Sequence, residues 1–165
     1  MILVADASAL VALSACDSLA LLEALFGQVW VPEAVFNEVA VADKPQAARL
    51  RHYLQNKVRA VEMQHFVFLD AFADAGETAA MLLYKEMAAD YLLIDDKRGR
   101  KVAKINHIRT IGSLGVLLQA KRAGLIPAVA PLLRQIAASP VFIGADLLQT
   151  VLDLAGEGSL GSDPN

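Results

Sequence analysis

The segment Tyr91-Leu92-Leu93-Ile94-Asp95-Asp96 decides the fold class of this chain, because a short apolar run ends there in two carboxylates. Such a run, bounded by charge, is typical of a strand buried in a parallel sheet. A second run of the same form, Ile2–Ala5, ends at Asp6 near the start of the chain. Two buried strands that both end in acids predict an α/β fold with polar groups at one edge of its sheet.

Strand-like and helix-like segments alternate along the rest of the chain. Further strands are predicted at residues 28–31, 58–63 and 108–111. Helices are predicted at residues 18–26, 32–40, 46–56, 77–89, 97–104, 113–123, 127–138 and 145–155. This alternation predicts a three-layer α/β/α sandwich with a central, mainly parallel sheet. We expect residues 1–155 to form a single domain, and residues 156–165, which are rich in Gly, Ser and Asp, to form a flexible tail.

Several acidic residues are expected at the carboxyl edge of this sheet, where open α/β folds bind their ligands. They are Asp6, Glu38, Glu77, Asp95 and Asp96. Converging carboxylates repel one another unless a cation lies among them, and Mg²⁺ or Mn²⁺ suits a site made of oxygen ligands. The three histidines are scattered and give no zinc pattern. The chemistry that uses such an acidic centre is hydrolysis of a phosphodiester by metal-activated water.

Each acid also has a purely structural interpretation. Asp6 could cap a helix over residues 8–13, and Asp95 or Asp96 could cap the helix that follows the strand. Glu38 could be a solvated helix residue, whereas Glu77 could complement the dipole of its helix. Their shared edge, rather than any single residue, favours the metal site.

The charges of the chain are segregated into blocks. The chain has 165 residues, with 15 Lys and Arg against 18 Asp and Glu, and a net charge of −3. Residues 44–60 hold five basic residues and no acid, and residues 97–145 hold nine and no acid. Four basic side chains directly after the strand-end acids could contact phosphates, or could form a solvated helix face. They are Lys97, Arg98, Arg100 and Lys101.

Composition also excludes two classes of protein. A spanning helix needs about 20 apolar residues, but no uncharged stretch of this chain exceeds 11 residues, so no membrane segment is predicted. The one cysteine, Cys16, excludes a disulfide framework and a cysteine-cluster zinc site. We therefore expect a cytoplasmic protein.

An ordered set of motifs resembles the PIN-domain ribonucleases. The first two motifs are LVADAS at residues 3–8 and VPEAVFNEV at residues 31–39. The motifs AGE at residues 75–77, YLLIDDKRGRKVA at 91–103 and IGSLGVLLQAK at 111–121 resemble more closely the DUF3368 subfamily, relatives of the VapC-type toxins. The resemblance covers residues 2–157.

This resemblance implies an α/β/α sandwich with a metal-dependent site that cleaves RNA. The acids of the family map onto Asp6, Glu38, Glu77 and either Asp95 or Asp96, with the last choice left open. A hydroxyl near the first acid maps onto Ser8, which would orient that acid. Similar proteins form homodimers and are often neutralised by a small antitoxin protein, so both partners are implied here as well.

The expected function is therefore a Mg²⁺- or Mn²⁺-dependent endoribonuclease, the toxin of a type II toxin–antitoxin pair. The alternative is a catalytically weak PIN-like module that binds RNA or protein. A phosphoryl-accepting regulator ranks last, because no second acid lies near the first strand end and no Lys follows residue 111 directly. A dinucleotide-binding fold is disfavoured, because no Gly-x-Gly-x-x-Gly follows the first strand.

Overall fold

One parallel sheet organises the protein. The computed structural model describes residues 1–41, 43–62 and 74–158. The strands in these residues are β1 (Ile2–Ala5), β2 (Gln28–Pro32), β3 (Val58–Arg59), β4 (Tyr91–Leu93) and β5 (Thr110–Ile111). All neighbours pair in parallel, in the order β3-β2-β1-β4-β5. The predicted parallel α/β sheet is thereby confirmed.

Helices flank this sheet and complete the predicted three-layer α/β/α sandwich. Those in the described part of the chain are α1 (Ala7–Ala15), α2 (Ala20–Phe26), α3 (Glu33–Val39), α4 (Ala47–Leu54), α5 (Ala75–Glu86), α6 (Lys97–Ile105), α7 (Ser113–Arg122), α8 (Ala130–Ala137) and α9 (Ala145–Ala155). None of them alone has the length and apolar character needed to cross a bilayer. Helices α1 and α2 pass that test only as a pair, and they are bent by 115°.

The two strands that end in acids lie side by side at the centre of the sheet. Leu3, Val4, Leu92 and Leu93 are fully buried, which explains why both strands are apolar throughout. Ala5 is in register with Leu93, and the N–H of Asp6 donates to the Leu93 carbonyl at 2.8 Å. The acids after β1 and β4 therefore leave the sheet at the same level.

The strand order also explains where a crevice opens. From β1 the chain adds strands toward one edge of the sheet, β2 and then β3, whereas from β4 it continues to β5 at the opposite edge. At such a reversal the connections diverge, and ligands bind outside the carboxyl ends of the strands. In this protein the reversal lies between β1 and β4.

Several predicted boundaries are wrong. The strand predicted at residues 58–63 is β3, which ends at Arg59 because its partner β2 ends at Pro32; residue 63 lies outside the described residues. Helix α5 begins at Ala75 rather than residue 77. Strand β5 begins at Thr110, two residues late, and α8 begins at Ala130 rather than residue 127.

The chain remains packed beyond the predicted domain boundary at residue 155. Lys121 Nζ donates to Glu157 Oε1 at 2.7 Å, and the N–H groups of Val129 and Ala130 donate to the same carboxylate at 2.7 and 2.8 Å. Glu157, two residues past that boundary, therefore ties α7, α8 and the end of α9 together. Residues 159–165 of the predicted tail lie outside the described residues.

Candidate active site

Acidic side chains line a pocket at the carboxyl edge of β1. The pocket has a volume of about 440 Å³. The acids in its wall are Asp6, Glu38, Asp74, Glu77 and Asp96. Lys44 is the basic residue in this wall, and its Nζ donates to the Glu38 backbone carbonyl at 3.2 Å. Within the described residues, no Lys, Arg or His nitrogen lies within 4 Å of any of these five carboxylates.

Asp6 is the most deeply placed of these acids. It is the N-cap residue of α1, but its side chain makes no capping hydrogen bond to the helix. The Ser8 hydroxyl donates to Asp6 Oδ2 at 3.1 Å. Burial, and to a smaller extent the nearby Asp74 and Glu38, raise the pKa of Asp6 to about 6.

Glu77 and Asp74 hold each other at the start of α5. The Glu77 N–H donates to Asp74 Oδ1 at 2.8 Å, and the Asp74 N–H donates to Glu77 Oε2 at 3.2 Å. This reciprocal pair is a capping box. Glu77 is 5 % exposed, and burial, followed by the charges of its acidic neighbours, raises its pKa to about 7.

Asp74 is a site residue that the sequence analysis missed. The sequence does contain a pattern that indicates it, because Asp74-Ala75-Gly76-Glu77 has the Asp-x-x-Glu spacing of a capping box. A cap at Asp74 predicts a helix that starts at Ala75 and brings a second carboxylate beside Glu77.

Two glycines make room for the acids. A Cβ atom on Gly76 would lie 2.9 Å from Glu38 Oε2, and one on Gly99 would lie 2.8 Å from Glu77 Oε1. Real Cβ atoms essentially never approach so closely. Glycine at these positions therefore allows α3 and α5, and α5 and α6, to place carboxylates between them. The pKa of Glu38 is raised, mainly by burial and then by Asp74.

The structure separates the roles of Asp95 and Asp96. Asp96 lines the acidic pocket, while its Oδ2 accepts the Gly99 N–H at 2.8 Å and caps α6. Asp95 points to the start of α7, where Ser113 donates to it twice, from N–H at 2.7 Å and from its hydroxyl at 2.6 Å. Asp95 is absent from the wall of the acidic pocket, so of the two acids only Asp96 lines it together with Asp6, Glu38 and Glu77.

Of the four predicted basic residues, two line a pocket and two do not. Lys97 and Arg100 line a second pocket of about 790 Å³ that adjoins the acidic one. Arg98 and Lys101 line neither of the two pockets. Lys44, in the wall of the acidic pocket, belongs to the basic block at residues 44–60 but was not singled out by sequence.

The donor chemistry of the acidic pocket fits Mg²⁺ or Mn²⁺. Across the described ranges, no three Asp, Glu, His or Cys side chains stand ready to hold one ion directly. Mg²⁺, however, commonly keeps several waters and binds only one or two protein carboxylates. The buried carboxylates of Asp6 and Glu77, which have no basic partner among the described residues, are therefore suited to a hydrated divalent ion.

Comparisons with known proteins identify the family. The model of the PIN domain (DUF3368) matches residues 2–157. Searches of the curated proteins and of the solved structures each returned no significant match. PIN domains are generally nucleases, and their nucleases typically use divalent metals, in agreement with a pocket of oxygen ligands. Because the match spans nearly the whole chain, this protein belongs to the PIN-domain family.

Proposed function

We propose that this chain is an endoribonuclease that requires Mg²⁺ or Mn²⁺ and hydrolyses RNA phosphodiesters. The observation that supports it is the acidic pocket, in which burial raises the pKa values of Asp6 and Glu77 to about 6 and about 7. Carboxylates held in this way are costly in the absence of a cation. Their positions after β1 and in α5 are those that ligand sites occupy in α/β sheets.

In this proposal Asp6, Glu77 and Asp96 hold the metal, with Glu38 and Asp74 as further acids of the wall. A bound Mg²⁺ supplies an activated water and neutralises charge that develops on the phosphate. The chain itself orients the carboxylates: Ser8 donates to Asp6, the Asp74 N–H to Glu77, and the Gly99 N–H to Asp96. Because no basic side chain is paired with these acids in the described residues, none has to be displaced when the cation binds.

The substrate would approach between two basic positions. Lys44 lies in the wall of the acidic pocket, and Lys97 and Arg100 lie in the adjoining pocket. Cations in and beside an acidic centre can contact the phosphates that flank a scissile bond. This arrangement supports a nucleic-acid substrate despite the net charge of −3.

The test is cleavage of a mixed RNA pool with Mg²⁺ or Mn²⁺, and then with EDTA. Wild-type protein should cleave only with metal. Asp6→Asn should lose at least about 100-fold in rate, since even the residues that only orient metal ligands typically contribute about 10- to 100-fold. Asp95→Asn is the matched control, because that acid lies outside the pocket. Equal cleavage by wild type and Asp6→Asn would contradict the proposal.

RNA binding without cleavage by either protein would favour the second candidate, a PIN-like binding module. The observation that favours this candidate is that no three metal-binding side chains stand ready in the described residues. Binding that survives Asp6→Asn, together with no metal-dependent cleavage, would establish it.

The resemblance to VapC-type toxins extends the proposal to a cytoplasmic toxin of a type II pair. Induced expression of wild type should then slow the growth of a bacterial host, whereas Asp6→Asn should not. The small antitoxin and the homodimer stay predictions, and light scattering of the purified protein tests the dimer.

A further inference from the structure

A groove adjoins the acidic pocket, and only its two basic residues have a role in the function proposed above. It has a volume of about 790 Å³ and is formed by the residues that follow β4 and β5, by residues 141–144, and by α9. We call it the side groove. Its volume lies within the range that holds drug-sized ligands, so a nucleotide fits in it.

The side groove is continuous with the acidic pocket. Ser8, Asp96 and Val141 line both. An extended chain bound in one would therefore enter the other. A phosphate at the acids would leave the neighbouring nucleotide in the side groove.

Charge in the side groove favours a polyanion. Lys97 and Arg100 line it, whereas the neighbouring Asp95 has both carboxylate oxygens engaged by Ser113. Asp96 also lines the groove, where it accepts the Gly99 N–H and faces the acidic pocket as well. With both acids already bound by hydrogen-bond donors, the two cations can contact a ligand phosphate. The core of a protein–protein interface, in contrast, is typically depleted of charged residues.

The aromatic ring of Phe142 stands at this groove almost fully in solvent. Its exposed fraction is 93 %, the highest among the large apolar side chains of the described residues. An exposed aromatic ring beside Lys or Arg is the combination on which single-stranded nucleic acids stack their bases. The flanking Val141 and Ile143 are partly buried against the core, so the backbone that carries the ring is anchored on both sides.

We propose that the side groove binds the nucleotide next to the scissile phosphate of single-stranded RNA, with Phe142 stacked on its base and Lys97 and Arg100 contacting its phosphate. This inference rests on the proposed function. Stacking accepts any base, so the side groove selects unpaired RNA rather than a sequence. A duplex keeps its bases stacked within the helix and would not engage Phe142.

The experiment measures the affinity of the full chain for a short, labelled, mixed-sequence RNA by fluorescence anisotropy. It is done with Mg²⁺ in the Asp6→Asn background, which prevents cleavage. Phe142→Ala and Phe142→Leu should weaken binding by about 5- to 100-fold, whereas Phe142→Tyr should bind like the parent. Leu125→Ala is the control, because Leu125 is exposed but lines neither pocket.

An abasic oligonucleotide of the same length separates stacking from charge. It should bind equally to the parent and to Phe142→Ala, because it carries phosphates but no bases. If Phe142→Leu binds the base-containing RNA as well as the parent does, the ring does not stack and the inference is wrong. It is also wrong if the Phe142 variants leave RNA affinity unchanged but turn a dimer into a monomer, since the groove would then bind a second copy.

Failure of this inference is distinguishable from failure of the proposed function. Metal-dependent cleavage without an effect of Phe142 would contradict the inference alone. Loss of affinity in Phe142→Ala, without cleavage by wild type, would contradict the nuclease proposal alone. Absence of RNA binding by every variant would overturn both.

Discussion

Replacing Asp6 by Asn should stabilise the metal-free protein at neutral pH. Asp6 is 3 % exposed, and its pKa is about 6 in the folded chain against an ordinary value of 3.8. At about 1.4 kcal/mol per pH unit, this difference corresponds to about 3 kcal/mol. Asparagine removes the charge while its amide oxygen can still accept the hydrogen bond from the Ser8 hydroxyl.

The pH dependence of this effect has a definite sign. The folded chain holds the Asp6 proton to a higher pH than the unfolded chain does, so the wild type loses stability as pH rises from about 4 to about 6. The Asn variant has no such proton. Its advantage should therefore be small near pH 4, grow up to about pH 6, and stay at up to about 3 kcal/mol at pH 8.

Urea denaturation of both proteins in EDTA, between pH 4.5 and pH 8, measures this difference. Asp17→Asn is the control, since that acid is 85 % exposed and its ion pair with Arg49 spans 3.5 Å at the surface. Mg²⁺ at pH 8 should then stabilise the wild type more than Asp6→Asn, because it binds the folded state. If Asp6→Asn is no more stable at pH 8, or if its advantage persists undiminished at pH 4.5, the acidic pocket does not store the electrostatic cost described above.

Two further predictions concern the acidic pocket and its neighbours, and a third concerns the contacts of Glu157. Gly76→Ala should change the free energy of unfolding by no more than about 1 kcal/mol, because Ala favours the helix. It should nevertheless weaken Mg²⁺ binding, measured by calorimetry, because the new methyl group displaces the Glu38 carboxylate. The control Gly115→Ala, near Ile111, should leave Mg²⁺ binding unchanged. Asp96→Asn should keep the α6 cap but abolish RNA cleavage. Asp95→Asn should instead keep RNA cleavage but lower the free energy of unfolding, measured with urea, by about 1–2 kcal/mol. The opposite result would make Asp95, rather than Asp96, the acid of the proposed metal site. Glu157→Gln should lower the free energy of unfolding by about 1–3 kcal/mol at pH 7. Burial raises the pKa of the Glu157 carboxyl, but its hydrogen bonds lower that pKa further, so the loss should shrink as pH falls below about 4.5. A loss independent of pH would contradict the bonds from Lys121 and the α8 backbone.

The parallel α/β character of the sheet was predictable because its signals are local. The apolar runs that form β1 and β4 each end in an acid, and burial on both faces requires such runs. The extent of β3 was not predictable from its own residues. It depends on where β2 stops, and Val31 and Pro32 are the last residues of β2 that pair with it.

The choice between Asp95 and Asp96 depends on a contact distant in sequence. Both acids follow the same strand, and either can cap a helix. The structure separates them because the first turn of α7 lies beside Asp95, where the Ser113 N–H and hydroxyl bind it from 18 residues away. The space beside Gly76 and Gly99 also depends on residues distant in sequence, since it exists only once α3, α5 and α6 are packed together.

For several acids the sequence leaves open whether they cap a helix or bind a metal. In the folded protein one acid can do the first and still be available for the second. Asp74 and Asp96 each use one carboxylate oxygen to accept a backbone N–H at a helix start, and both line the acidic pocket. A helix start carries about half a positive charge, which favours a carboxylate without cancelling it. A Lys or Arg partner would instead neutralise the acid and compete with a metal ion. Capping therefore fixes carboxylates at one edge of the sheet while preserving their negative charge, which is what the proposed metal site requires. It also accounts for the start of both α5 and α6 at the pocket.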